Sequence, residues 1–442
     1  MPGPTVQAGI DRARRMADES RKYIQKQEGV DLLCPDEPIF SVEDAQRAAA
    51  SFRRSEIDAL VILHGGATPA TLTADLVRDL NVPLALWGIP EPQYDGTPVT
   101  CGSMSGLISH AAMLKGLDRQ FTFVYGLADS LEARQQLDKF IEAVVVRRAL
   151  RGASIALLGA GVGGCTPYHF DETAIRSYFG TTVRHVSLST LLESIEVLTP
   201  EQIHADRQEL QSQEYVLETS DHDALRRAGH AYAALKRILQ RGGFDAVTAR
   251  CRPELIDEHR LGMYAVCSQL TDGGLPATCG GDIDGALTML LLHAYTGRPP
   301  FFADWIQRDE KTNQVLFWSP GTAAASLVNP KFPQKIDTGL PTDGNIGFSF
   351  PLKTGDVTLA RLLGRSGKYR LLVVRGRAVE PNIILKGTYV TIRVNTPVQR
   401  LLSAILEHGF PHQYAIVYDD IRDELIEFAR QSSIEVVAPE EL

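Results

Sequence analysis

Along the first half of the chain, short apolar runs alternate with longer amphipathic stretches. "IDALVIL" (57–63), "PLALWGI" (83–89), "FTFVYG" (121–126), "SIALLG" (154–159) and "TVRHVSL" (182–188) are each followed by a segment of helical length. Runs this short and this apolar read as strands covered on both faces, and their rhythm predicts βαβ units around parallel sheets. The stretch "SLEARQQLDKFIEAVVVRRALRG" (130–152) carries the apolar stripe of a helix lying on such a sheet and ends at Gly152. The alternation then restarts, which divides one α/β domain (1–150) from a second (151–335).

After residue 335 the texture changes. In "GNIGFSFPLKTGDVTLARLLGRSGKYRLLVVRGRAV", brief β-rich runs are separated by glycine-bearing turns, the pattern of antiparallel strands in a small barrel or sandwich. "DIRDELIEFARQSSIEVV" closes the chain as a helix and then a strand. The predicted class is therefore α/β: two Rossmann-like parallel-sheet domains followed by a small antiparallel β-barrel-like domain over 336–442.

Composition narrows the function without naming it. The 442 residues exceed what one hydrophobic core supports, in keeping with several domains. A formal charge of −9 leaves no basic surface in bulk, so nucleic acid is not the expected partner. The longest apolar candidate, "ALTMLLLHAY", is too short to span a bilayer, and "MPGPTVQAGIDRARRMADES" lacks the apolar core of a secretory signal. No membrane partner is expected, and the cytoplasm is the expected compartment. Cys34, Cys101, Cys165, Cys251, Cys267 and Cys279 show no C-x-x-C and no regular spacing, which reads as reduced thiols.

The loop "GAGVGG", with Gly159, Gly161 and Gly164, follows a strand and fits G-x-G-x-x-G. A dinucleotide site also needs a helix opening at once and an acid at the end of the next strand. Here Pro167 falls just after Gly164, the best helix start is Asp171, and the next strand ends in Ser187 and Leu188. The loop reads as a tight strand-to-helix connection, and no NAD is expected.

The densest chemistry lies at 251–328. "SQLTDGGLPATC", "GDIDGALTM", "GRPPFFADW" and "NQVLFW", with "VPLALWGIPEP" and "GTPVTCGSMSG" upstream and "HGFPHQYAIVYDDIRDELIEFARQSSIEVV" downstream, resemble the L-fucose isomerase and L-arabinose isomerase superfamily. The resemblance runs in order from about residue 55 to the C-terminus. It implies a metal-dependent aldose–ketose isomerase, in which one divalent cation, usually Mn²⁺, binds O1 and O2 of the sugar. Carboxylates then move a proton between C1 and C2 through an enediol, because a hard cation polarises the carbonyl beside a carboxylate base. The resemblance further implies a homotrimer or homohexamer in which one subunit's N-terminal loop completes a neighbour's pocket, so that Trp87 and Glu91 act in trans.

The ligand positions depart from the family pattern. Gly280 of Cys279-Gly280-Gly281-Asp282 stands where the family has Glu, and Ser319 stands where a histidine is common. Asp304 of "FFADW" keeps the second acid, and His412-Gln413 replaces a pair of histidines. Mn²⁺ at Asp304 is thus implied by the resemblance and weakened by the lost ligands, because such ions want about six oxygen or nitrogen donors. Asp304 and Asp282 are the candidate catalytic acids. Asp282 either turns inward as the partner of Asp304 or caps the following helix, as Asp284 is expected to do. His64, Trp87, Glu91, Trp318 and His412 are the candidate substrate contacts. Trp87 is read either as a stacking face for a sugar ring or as interface packing. Tyr168 and His169 are weaker candidates, and His293 reads as a core histidine.

The expected function is enediol-type proton transfer on a sugar or sugar derivative, possible without the family metal. The alternatives are a metal-independent sugar lyase or transferase using an enediol or carbanion, and a non-catalytic sugar-binding subunit.

Overall fold

The computed structural model describes residues 4–91, 102–161, 169–199, 201, 216–217, 221–338 and 345–440, with backbone alone for 4–9. Contacts divide the chain into two compact units, one of 1–148 with 426–433 and one of 149–425 with 434–442.

The first unit is built on a parallel sheet of β1 (Leu60–His64), β2 (Leu84–Gly88) and β3 (Thr122–Tyr125), in that order. Every residue of the central strand "LALWG" is buried, as a strand covered on both faces requires. Phe52, Leu76, Leu86 and Leu114 form one core, while Trp87, Leu137 and Phe140 form another. The expected helix at 130–152 runs over Leu131–Gly152 and supplies Leu137 and Phe140. The helix Val42–Arg54 opens with a capping box, Ser41 Oγ accepting from the Asp44 N–H (3.1 Å) and the Asp44 carboxylate from the Ser41 N–H (3.0 Å).

The second unit carries two sheets. The first is parallel, from β4 (Ser154–Leu158), β5 (Thr182–Val186), β7 (Ala246–Ala249) and β8 (Ala277–Cys279), in the order β5-β4-β7-β8. The second has ten strands: β6 (Val216–Leu217), β9 (Phe301–Asp309), β10 (Gln314–Ser319), β11 (Lys335–Thr338), β12 (Ile346–Pro351), β13 (Gly355–Arg365), β14 (Lys368–Val379), β15 (Thr388–Val394), β16 (Gln413–Val417) and β17 (Glu435–Val437). Because β14 pairs with both β13 and β15, six of these strands close on themselves in the cycle β14-β13-β16-β9-β10-β15. Every pairing in the cycle is antiparallel. Closure leaves no edge within the ring, and alternate side chains fill its interior. Phe301, Ala303, Val315, Phe317, Leu359, Val374, Ile392, Tyr414 and Ile416 form that interior. The expected antiparallel barrel is present, and it draws β9 and β10 from before residue 336.

The start of the glycine loop passes against the turn after β8, where a Cβ on Gly281 would lie 2.8 Å from Ala160 O and 2.9 Å from Gly161 Cα, and the rest of the loop, with Gly164 and Pro167, lies outside the described residues. Glycines serve close packing of two loops there. The reading of all six cysteines as reduced is corrected, because Cys251 and Cys279 form a disulfide. Ala249 and Cys279 are register partners at the ends of β7 and β8, which brings Cys251 to a Cα separation of 5.8 Å from Cys279. The 28-residue spacing in sequence carried no sign of that adjacency. Among the described residues, no helix is long and apolar enough to cross a membrane.

Candidate active site

The barrel's alternation decides where Asp304 points. Its neighbour Ala303 faces the interior with Phe301, so Asp304 stands on the outer wall. Register places Gln413 opposite Asp304 on one side and Trp318 on the other, with Tyr389 beyond Trp318. A row of polar and aromatic side chains, Gln413–Asp304–Trp318–Tyr389, therefore crosses β16, β9, β10 and β15.

The Asp304 side chain is only 28% exposed, and its Oδ1 lies 3.7 Å from His412 Nε2. That oxygen is buried and accepts no hydrogen bond among the described residues. Burial raises the carboxyl above the usual aspartate range, while the Gln413 amide and the His412 ring pull the other way. The Trp305 N–H donates to His412 O (2.9 Å), which fixes the entry of β16 against β9. Trp318 is half-buried, and its indole N–H donates to Lys386 O (2.6 Å). Gly387 makes room for this: at φ +84, a Cβ there would lie 3.0 Å from the indole nitrogen.

Asp282 is used elsewhere. It caps the helix Ile283–Thr296 by accepting from the Gly285 N–H (2.8 Å), and its second oxygen pairs with Arg361 Nη2 at 2.7 Å. Both side chains are essentially inaccessible. The cap is thus Asp282 rather than Asp284. Asp284 instead accepts from the Tyr369 hydroxyl (2.8 Å) and the Gly364 N–H (2.9 Å), and burial pushes its carboxyl up to about 6.

The remaining candidates lie apart from the row. Trp87 is buried in the first unit and donates to Gly126 O (2.9 Å), so it presents no free face for a sugar ring. His64 ends β1 with its ring 4.3 Å from that of His110, and burial holds it down to about 3. Glu91 Oε1 accepts from the Ser103 N–H (2.8 Å), whose hydroxyl in turn donates to His64 O (2.5 Å). His64, Glu91 and Ser103 thus gather at the carboxyl edge of that sheet, as the ligand edge of a parallel sheet would have them. His293 Nδ1 lies 3.0 Å from Arg298 O. His169 is exposed, and Tyr168 lies outside the described residues.

The donor set at Asp304 does not by itself fit Mn²⁺. Gly280 has no side chain. The Ser319 hydroxyl is occupied within its own turn, accepting from the Thr322 N–H (3.0 Å) and lying 2.5 Å from Thr322 Oγ1. Asp304 and His412 remain, and among the described residues no three His, Cys, Asp or Glu side chains converge as a metal site. Two donors are far short of the roughly six that such an ion takes. Gln413 entered the sequence reading only as half of a replaced histidine pair and Tyr389 not at all; the strand register, which pairs residues 109 and 71 positions from Asp304 and Trp318 respectively, sets both in the row.

Residues 12–151 match a family model described as the fucose/sulfoquinovose isomerase N-terminal domain. A sulfoquinovose isomerase of Priestia aryabhattai is 26% identical over 407 residues, covering 91% of this chain and 90% of its own. A sulfoquinovose isomerase of Alkalicoccus urumqiensis is 26% identical over 360 residues, 81% and 80% of the two chains. One of Clostridium sp. (strain MSTE9) is 24% identical over 440 residues, 98% and 95% of the two.

Proposed function

From the premise that the chain is a fucose isomerase-like enzyme of carbohydrate metabolism, we propose that it interconverts an aldose and a ketose at Asp304. The proposed substrate class is a sulfonated aldose such as sulfoquinovose, after the names of the relatives. Asp304 takes the proton from C2 of the aldose, giving an enediol, and returns it to C1 of the ketose. His412 carries the hydroxyl proton between O2 and O1, Gln413 orients the Asp304 carboxyl, and the half-exposed indole of Trp318 packs against the sugar.

The observation that supports this reading is the pairing of a desolvated carboxylate, one oxygen unsatisfied, with an imidazole 3.7 Å away. A base whose pKa is lifted toward the working pH is the better proton acceptor from carbon. Because the donor set does not fit Mn²⁺, no step is routed through a metal. The proposal also keeps the division near 150, the cytoplasmic compartment and a homotrimer or homohexamer, but not the boundary at 335, since β9 and β10 belong to the barrel.

The test is turnover of sulfoquinovose, L-fucose and D-glucose, read as ketose formation and as deuterium entering the product carbon in heavy water. Asp304→Asn is expected to lower kcat by about 10²–10⁴ while leaving thermal unfolding in place. An Asp304→Asn enzyme as active as the wild type would overturn the assignment. Loss of activity with a chelator and its return with Mn²⁺ would overturn the metal-free step and place further ligands outside this row.

A further inference from the structure

The disulfide between Cys251 and Cys279 has no part in the chemistry proposed at Asp304, yet it closes on a segment that leads there. It ties the helical segment Cys251–Glu258, which follows β7, to the last residue of β8. The strands are paired without its help, since the Gly280 N–H donates to Ala249 O (2.8 Å) just past their last register pair. What the bond adds lies beyond that rung, where the chain leaves β8.

That departing segment is soft by itself. Gly280 and Gly281 sit at φ +105 and +74, values that glycine adopts at no steric cost and leaves as readily. Asp282 follows at once, with the cap of the helix Ile283–Thr296 and the buried pair to Arg361. The first turn of this helix packs on β9, where a Cβ on Gly285 would lie 2.5 Å from Phe302 Cζ. Phe302 precedes Asp304 by two residues and shares its face of the strand. Packed groups thus join the bond to the candidate base through the turn, the cap and Phe302.

The two sulfurs are unequally reached. Cys279 is half-buried, whereas Cys251 is 4% exposed. An incoming thiolate therefore meets Cys279 first. It bonds to Cys279 Sγ, the bond to Cys251 breaks, and Cys251 leaves as a thiolate that takes a proton. A second thiol then displaces the first from Cys279. Two external thiols become one disulfide, and the protein gains two electrons and two protons. Where thiols are kept reduced, a bridge of this kind is usually transient rather than structural.

We propose that Cys251 and Cys279 form a reversible thiol–disulfide couple that governs the Asp304 site. The bonded form holds the turn in the active arrangement, and the thiol form releases it. The effect on turnover rests on the isomerase reading; the couple itself does not.

The full chain, equilibrated in buffers of graded glutathione thiol-to-disulfide ratio, tests this, with each cysteine read by alkylation and peptide mass. The expected result is interconversion in the folded protein, with amide exchange over 280–286 faster in the thiol form and unchanged in the barrel interior. Turnover of sulfoquinovose is expected to fall about tenfold on reduction, as a small displacement of a catalytic group can cause, and to return on reoxidation. The double variant Cys251→Ser with Cys279→Ser is expected to keep the exchange and turnover of the thiol form at every ratio. A bond that forms at no ratio, or that yields only after unfolding, overturns the proposal. So do equal exchange over 280–286 in the two forms and, in an active enzyme, equal turnover. Inertness toward every sugar in both forms overturns the isomerase reading instead, and an exchange difference that persists there still supports the couple.

Discussion

Asp284 shows how burial turns one side chain into a term in folding stability. Its carboxyl is pushed up to about 6, chiefly by burial, against 3.8 for the free group. The folded chain thus holds this proton more tightly than the unfolded one, so its contribution falls as pH rises from about 4 to about 6. His64 acts in the opposite sense: neutral when folded and held down to about 3, it costs stability as pH falls below 6.5. Comparison with a variant separates the two. Asp284→Asn is expected to remove the part of the wild-type loss between pH 4.5 and 7 that belongs to this carboxyl, read from urea midpoints; an unchanged slope would refute the assignment. At this scale the sequence displayed both acids of "GDIDGA". Which one pairs with a guanidinium and which takes a phenol hydroxyl depended on Arg361 and Tyr369, 79 and 85 positions away.

The helix Ile283–Thr296 is the element that the buried pair secures. Its N-terminus ends in the Asp282 cap, and Arg361 of β13 holds the same carboxylate with both groups out of water. Removing one partner strands a buried charge, whereas replacing both does not. Asp282→Ala is expected to cost about 3–5 kcal/mol, measured by chemical unfolding. The double variant Asp282→Leu with Arg361→Met is expected to recover most of that. A double variant as unstable as the single one would show that the cap alone carries the loss. The apolar run "GALTMLLLHAY" made the helix legible in advance, since a segment hydrophobic on all sides is a buried one. Its partner on β13 was not legible, because a lone Arg in "TLARLLG" looks like any exposed cation.

For the whole molecule, closure of the barrel is the event that makes the candidate site. With β14 paired to β15, the ring fixes which face of β9 looks outward, and so sets Asp304 in line with Gln413 and Trp318. Assembly belongs to the same scale. The proposed homotrimer or homohexamer is checked by light scattering on the purified chain, with about 145 or 290 kDa expected from a 48.5 kDa subunit. A monomeric mass at working concentration would remove the reading in which Glu91 serves a neighbouring subunit.

The sequence by itself determined the strand–helix rhythm of two parallel sheets, the antiparallel texture after residue 335, the helix at 130–152 and the isomerase likeness. These follow from local periodicity and ordered short motifs, which need no knowledge of distant neighbours. Tertiary structure alone decided that Cys251 meets Cys279, that Trp87 is enclosed, that Asp282 is spent on Arg361, and that Asp304 stands beside His412 and Gln413. Each of these depends on how elements far apart in the chain are brought together, and for Asp304 on strand register. A shift of one residue would turn every side chain of a strand to its other face. The pattern of one strand says which residues share a face, but only its pairing says what that face meets.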